Sequence, residues 1–330
     1  MGKCGSKAPG EMMFRLLLAL SLLPLGASAQ EPTIRVDVRL VHVLASVKDA
    51  SGQPAASLRR EDFSIRDNGV PQKIAVFERS TEQPLSVTVL VDNSGSTAKD
   101  LRYEVDSVGR FLRALFSEGN PQDAVSLYGF DDDVTQLNSF TRNQASLTRS
   151  LHGMRGGAGT SMYDAIYLAA AELEGRAGRH VMLVITDGGD TTSRKDYHAA
   201  LAAAQNADVV LYPIVVVPIY NNAGRNTGGE NALTTLAAST GGRVFAPTLG
   251  AALDQAFSDI LTELRTQYYL GFYPENVAST RDRFHRLDVA VKRPQLRISA
   301  RNGYYGEALR SGSGNSGRDP VIAPRFMSQE

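Results

Sequence analysis

The segment Ser86-Val-Thr-Val-Leu-Val-Asp-Asn-Ser-Gly-Ser-Thr97 constrains this chain most. A run of β-branched and apolar residues stops abruptly at an aspartate. Two serines follow at alternate positions, and an amphipathic helix comes next. A strand that reads as continuously apolar is buried on both faces, as in a parallel sheet covered by helices. Asp92, Ser94 and Ser96 therefore lie where that strand surfaces. In open α/β sheets, ligands bind outside the carboxyl ends of the strands. One aspartate and two hydroxyls do not complete a site for a hard divalent ion, so later segments must contribute.

Two later segments supply further oxygen donors. Gly156-Gly-Ala-Gly-Thr160-Ser161 is a glycine-rich loop presenting a threonine just before a helix. His180-Val-Met-Leu-Val-Ile-Thr-Asp187-Gly-Gly189 is a second apolar strand ending in an aspartate. The groups that converge are all oxygens, with no His or Cys among them. That donor set suits Mg²⁺, Mn²⁺ or Ca²⁺ and argues against zinc or copper.

The three-part pattern resembles a von Willebrand factor type A (vWA) domain. D-x-S-x-S follows a hydrophobic strand, then comes a Gly-Thr loop, then Ile-Thr-Asp-Gly. The resemblance implies a metal-ion-dependent adhesion site made of Asp92, Ser94, Ser96, Thr160 and Asp187. It implies that the serines touch the ion directly and that Thr160 and Asp187 do so directly or through water. It also implies that a partner's Asp or Glu carboxylate completes the shell. Flanking motifs extend the likeness over about 33–306. Asp49-Ala-Ser-Gly-Gln-Pro54, Arg60-Glu-Asp-Phe63, Asp67-Asn-Gly69, Gln267-Tyr-Tyr-Leu-Gly271 and Lys292-Arg-Pro294 look like those of vWA-related proteins common in Acidobacteria.

From Leu85 to about Leu264 strand and helix patterns alternate, which implies a doubly wound, mostly parallel sheet. Helices are expected at about 98–116, 143–154, 161–176, 196–206, 231–242 and 249–266. The strand Val209–Val217 contains Pro213, which lacks a ladder donor, so irregular pairing is expected there. Arg243–Ala246 reads as a short last strand. Residues 33–80 and 267–306 alternate like half-buried antiparallel strands, and small isolated sheets are marginal. The economical arrangement is one β-sandwich built from both ends, with the α/β domain inserted in it. Phe63–Asp67 and Gln72–Phe77 read as a hairpin about an Asp-Asn-Gly turn. The expected organisation is a signal peptide at 1–29, sandwich parts at 30–81 and 267–306, a vWA domain at 82–266 and a disordered tail at 307–330.

The first segment has the features of an export signal. Arg15 precedes a short apolar run, Leu16–Leu25, and Ala27 and Ala29 form an A-x-A cleavage site. Processing after Ala29 predicts a secreted or periplasmic protein with no transmembrane segment. The single cysteine, Cys4, lies upstream of the cleavage site, so the mature chain has no disulfide. Basic and acidic residues balance at 35 each, which gives no general attraction to nucleic acid.

Enzyme readings fare poorly. Ser96-Thr-Ala-Lys99 fits S-x-x-K, but the S-D-N and K-T-G partners of that signature are absent. The glycine-rich loop lacks the lysine of a P-loop. The five histidines fit no ligand spacing. Asp131-Asp-Asp133 reads as a solvated hairpin tip, since it lacks the glycine and distal glutamate of a calcium loop. The expectation is a non-enzymatic, metal-dependent protein-binding module. The alternative is a structural or scaffold protein of the envelope whose metal site is idle.

Overall fold

The computed structural model describes residues 40–55, 57–79, 83–95, 97, 101–187, 189–216, 227–278, 280–306 and 325–326. The expected signal peptide lies outside them.

Among the described residues the first elements are β1 (Val41–Lys48), a 3-10 turn at Arg60–Asp62, β2 (Phe63–Asp67), β3 (Val70–Gln72) and β4 (Ile74–Arg79). The α/β part follows: β5 (Leu85–Asp92), α1 (Leu101–Glu118), β6 (Ala124–Phe130), β7 (Val134–Thr141), α2 (Gln144–His152), α3 (Met162–Glu174), β8 (Arg179–Thr186), α4 (Tyr197–Asn206), β9 (Val209–Val215), α5 (Thr227–Thr240) and α6 (Ala251–Thr266). Then come β10 (Tyr268–Phe272), β11 (Phe284–Val291), β12 (Arg297–Ala300), β13 (Gly303–Tyr305) and the two residues of β14 (Arg325–Phe326).

The central sheet has the order β14-β7-β6-β5-β8-β9. β5 pairs in parallel with β6 and β8, and β8 in parallel with β9, whereas β7 runs antiparallel to β6. Alternate residues of β5 face opposite helical layers. Val87, Val89 and Val91 pack with α1, α2 and α6, while Leu90 packs with α3, α4 and α5. All eight residues of β5 are buried, as the unbroken apolar run required.

Pro213 does not disturb its strand. The register from His180↔Val209 to Thr186↔Val215 is continuous. β9 is the last strand of the sheet, and its outward amides belong to alternate residues. Leu211 N–H donates to Thr240 Oγ1 at 3.1 Å and Val215 N–H to Phe245 O at 2.8 Å. Pro213 lies between them, so its missing N–H falls on the side that owes nothing to β8. The expected strand at 243–246 is reduced to a single parallel bridge, Ile214↔Phe245.

The two antiparallel sheets have the orders β12-β1-β10-β4 and β13-β11-β2-β3. They share one core, in which Val43, Ala45, Tyr268, Leu270 and Phe272 of the first meet Phe63, Ile65, Leu287 and Tyr304 of the second. Strands before the α/β part therefore pair with strands after it, as β1 does with β10 and β2 with β11. The hairpin differs from its expected form. Asn68 and Gly69 both take positive φ, the demand of a tight two-residue turn, but the returning strand is only Val70–Gln72. Gln72 turns its amide onto the backbone of Glu275, and from Ile74 the chain joins β10 in the other sheet.

Glu263 near the end of α6 ties the α/β part to the sandwich. Its buried carboxylate accepts from Ser46 Oγ at 3.2 Å, Tyr212 OH at 3.1 Å and Arg243 Nε at 3.1 Å, and it pairs with Lys48. Burial alone would raise its pKa, but Lys48 and Arg243 outweigh that and hold it below the ordinary value. Of the carboxyl-terminal stretch expected to be disordered, Arg325–Phe326 runs parallel to Thr135–Gln136, and the rest lies outside the described residues.

A candidate metal centre at the ends of two parallel strands

β5 and β8 are neighbours in register, with Val91 opposite Ile185. Their carboxyl ends therefore emerge side by side, carrying Asp92 from one strand and Thr186 and Asp187 from the other. Asp92 is completely buried, Ser94 and Thr160 are nearly so, and Asp187 is half-buried. Ser96 lies outside the described residues.

Both oxygens of Asp92 are held by neutral donors. Oδ1 accepts the backbone N–H of Ser94 at 2.9 Å, and Oδ2 accepts the Thr186 hydroxyl at 2.7 Å. Burial pushes the Asp92 carboxyl up to about 6, against the pull of these hydrogen bonds, and the negative charge of Asp187 adds to the rise. Thr97 closes the turn by donating its hydroxyl to the carbonyls of Asp92 at 2.9 Å and Ser94 at 3.0 Å.

The glycine-rich loop is brought to the same end of the sheet. Gly157 N–H donates to Asn93 O at 2.9 Å. Thr160 N–H donates to Thr191 Oγ1 at 2.9 Å, and Thr191 N–H donates back to Thr160 O at 2.8 Å. The structure thus gathers Asp92, Ser94, the Thr160 loop and Asp187 around one edge.

A cation is suited to this donor set. Among the described residues no cationic side chain is hydrogen-bonded to the buried Asp92 carboxylate, and a hard divalent ion beside it would favour the ionised form. Among the described residues no three His, Cys, Asp or Glu side chains gather as a ligand set, so a metal here would depend on two carboxylates and on hydroxyls.

The sequence reading missed several residues of this edge. Thr186, Asn93, Thr191 and Thr192 escaped it, although a threonine closing an apolar strand and an asparagine inside D-x-S are visible signals. The reading of Asp131–Asp133 as a solvated tip holds for exposed Asp132 and needs correcting at Asp131. Asp131 is half-buried, and its Oδ2 accepts from Asn93 Nδ2 at 2.8 Å. Its backbone carbonyl accepts the N–H of Ser161 at 2.7 Å.

Residues 86–259, more than half of the chain, match the family model of the von Willebrand factor type A domain. The chain belongs to that family. No curated protein matches it in sequence. Among solved structures, the vWF domain of the type V pili tip protein Mfa5 from Porphyromonas gingivalis is 14% identical, with a TM-score of 0.46, covering 60% of this chain and 99% of that one. The conserved hypothetical protein BatB from Bacteroides thetaiotaomicron is 19% identical, with a TM-score of 0.44, covering 55% and 98%. The SpRpn10 VWA domain is 14% identical, with a TM-score of 0.43, covering 52% and 93%. In this vWA domain the matched segment is the α/β part, and the sandwich strands lie on either side of it.

Proposed function

We propose that this vWA protein is a metal-dependent protein-binding module and not an enzyme. The observation that carries the reading is Asp92. It is a fully buried carboxylate oriented by Ser94 and Thr186, with oxygen donors around it and, among the described residues, no cationic hydrogen-bond partner. Asp92, Ser94, Thr160 and Asp187, together with Ser96 of the same motif, would hold Mg²⁺, or Mn²⁺ or Ca²⁺. A bound Mg²⁺ supplies a positive centre that prefers six oxygens in octahedral geometry. With neutral hydroxyls as the direct ligands and the two aspartates acting partly through water, the ion keeps positive charge for an anionic oxygen from outside. An Asp or Glu carboxylate of a partner protein matches that demand.

Export belongs to the same reading. Residues 1–29 serve as a signal peptide cut after Ala29, which places the protein in the periplasm or outside the cell. Among the described residues no helix is long and apolar enough to cross a membrane.

The test is affinity capture from envelope and secreted fractions of the source organism. Partner recovery should need Mg²⁺ or Mn²⁺ and vanish in EDTA or with Asp92→Ala. Equal recovery by Asp92→Ala in EDTA would overturn the metal-bridged mechanism and favour the scaffold alternative.

A further inference from the structure

The loop that carries Thr160 contains Gly153, Gly156, Gly157 and Gly159, and among the described residues it has no regular structure between α2 and α3. Glycines impose a large ordering cost, so such a loop holds a threonine in place only if outside groups fix it. Thr191 holds Thr160 itself, and the groups that hold the rest of the loop come from the β6–β7 hairpin tip and from Asn93.

Asn93 Nδ2 donates to Arg155 O at 2.7 Å and to Asp131 Oδ2 at 2.8 Å, while Asn93 O receives Gly157 N–H at 2.9 Å. Asp131 Oδ1 accepts its own hairpin amide, Asp133 N–H, at 3.1 Å, which sets the carboxylate's orientation. At the far end of the loop, Ser161 donates its N–H to Asp131 O at 2.7 Å and its hydroxyl to Asp132 O at 2.8 Å. The approach is close. A methyl group at Gly157 would lie 2.2 Å from Asp131 Oδ2, and one at Gly159 would lie 2.3 Å from Asp132 Oδ1. At Gly157 the clash extends to Asp131 Cβ at 2.6 Å, so a side chain there would displace Asp131, whereas at Gly159 the exposed Asp132 carboxylate has room to turn away.

From this geometry we infer that Asp131 is a positioning residue for Thr160: its carboxylate, through Asn93, clamps the near end of the glycine-rich loop, while the hairpin backbone holds the far end at Ser161, and the side-chain clamp sets the affinity of the metal centre. The inference rests on the metal-binding reading of Thr160 above. Asp131 acts through its hydrogen bonds and is not itself assigned as a ligand.

The experiment compares the full chain with Asp131→Ala and Asp131→Asn. Two quantities are read: Mg²⁺ affinity by calorimetry, and amide hydrogen exchange in EDTA. Asp131→Ala should weaken Mg²⁺ binding at least tenfold. In metal-free protein it should speed exchange at Gly157 and leave the β5 amides of Val87, Val89 and Val91 as protected as before. Asp131→Asn keeps an oxygen that can accept from Asn93, so it should restore part of both properties; it also serves if the alanine variant folds poorly. Unchanged exchange at Gly157 would overturn the clamp. Faster exchange with wild-type Mg²⁺ affinity would reduce Asp131 to a structural role and overturn its positioning role. If the wild-type chain takes up no Mg²⁺, the metal reading fails and the positioning role falls with it, whatever the exchange at Gly157 shows of the clamp.

Discussion

Thr186 Oγ1 donates a 2.7 Å hydrogen bond to Asp92 Oδ2, joining the last residues of two adjacent parallel strands. The bond follows from the β5–β8 register, which sets Asp92 beside Thr186 just before Asp187. It aims a buried carboxylate with a neutral donor, which does not itself balance the charge. An alkyl side chain at position 186 would leave that oxygen without its donor. A lysine or arginine there would neutralise the charge and remove the need for a cation.

The first prediction concerns pH in the metal-free protein. The folded-state pKa of Asp92, about 6, lies above the ordinary 3.8 of an unfolded chain. A raised pKa contributes stability that is fully present below about pH 4 and is lost as pH rises through about 6. In EDTA, wild type should therefore lose stability relative to Asp92→Asn between pH 4 and pH 7. The difference should change by about 3 kcal/mol, read by denaturant unfolding. A flat difference would show that burial does not strain this carboxylate.

Metal should reverse that penalty. At about 100 times its dissociation constant, Mg²⁺ should stabilise the native state by about 2.7 kcal/mol if the unfolded chain does not bind it. The thermal shift should disappear in Asp92→Ala and shrink strongly in Asp187→Ala. The same shift in wild type and Asp92→Ala would locate the ion elsewhere.

Glu263 should matter for stability and not for metal. Glu263→Ala strands Lys48 and Arg243, which can turn partly to solvent, so a loss of about 2 kcal/mol is expected, below that for a fully enclosed pair. Its pKa is held below the ordinary 4.5, so its contribution is present at neutral pH and is lost as pH falls through the depressed folded-state value. The stability difference between wild type and variant should narrow as pH is lowered from 7 into the acid range. Unchanged Mg²⁺ affinity in the variant should accompany the lost stability.

Gly242 packs against the β9 backbone. An added methyl would lie 2.0 Å from the Leu211 carbonyl oxygen, so Gly242→Ala must push backbone apart. Overpacking of this kind costs about 1–3 kcal/mol or more. Near-wild-type unfolding by the alanine variant would mean that α5 and β9 separate easily.

Export makes a covalent prediction. N-terminal sequencing of protein recovered outside the cytoplasm should begin at Gln30. A mature chain retaining Leu16–Leu25 would indicate a membrane anchor in place of a cleaved signal.

Much of the molecule was legible from residue order alone, because short-range physics wrote it there. The apolar runs of 86–91 and 181–185 can be satisfied only by burial on both faces, and the 3.6-residue periodicity of 101–115 can be satisfied only by a helix. Those runs end at Asp92 and Asp187, so the oxygen donors announced which end of the sheet they share. Other features depend on neighbours distant in sequence. Pro213 is disruptive by local pattern, but its missing N–H falls on the side away from β8. Gln72 looked like a continuing strand residue, yet Glu275, 203 positions later, receives its amide and lets the chain change sheets. Asp131 looked solvated because nothing nearby in sequence could claim it, while Asn93 and Ser161 reach it only after the sheet brings β5, β6 and α3 together. Local pattern determined the elements and the candidate ligands. Register and packing alone decided which hydrogen bonds aim them, because a side chain's partner is set by which backbones lie side by side in the folded sheet.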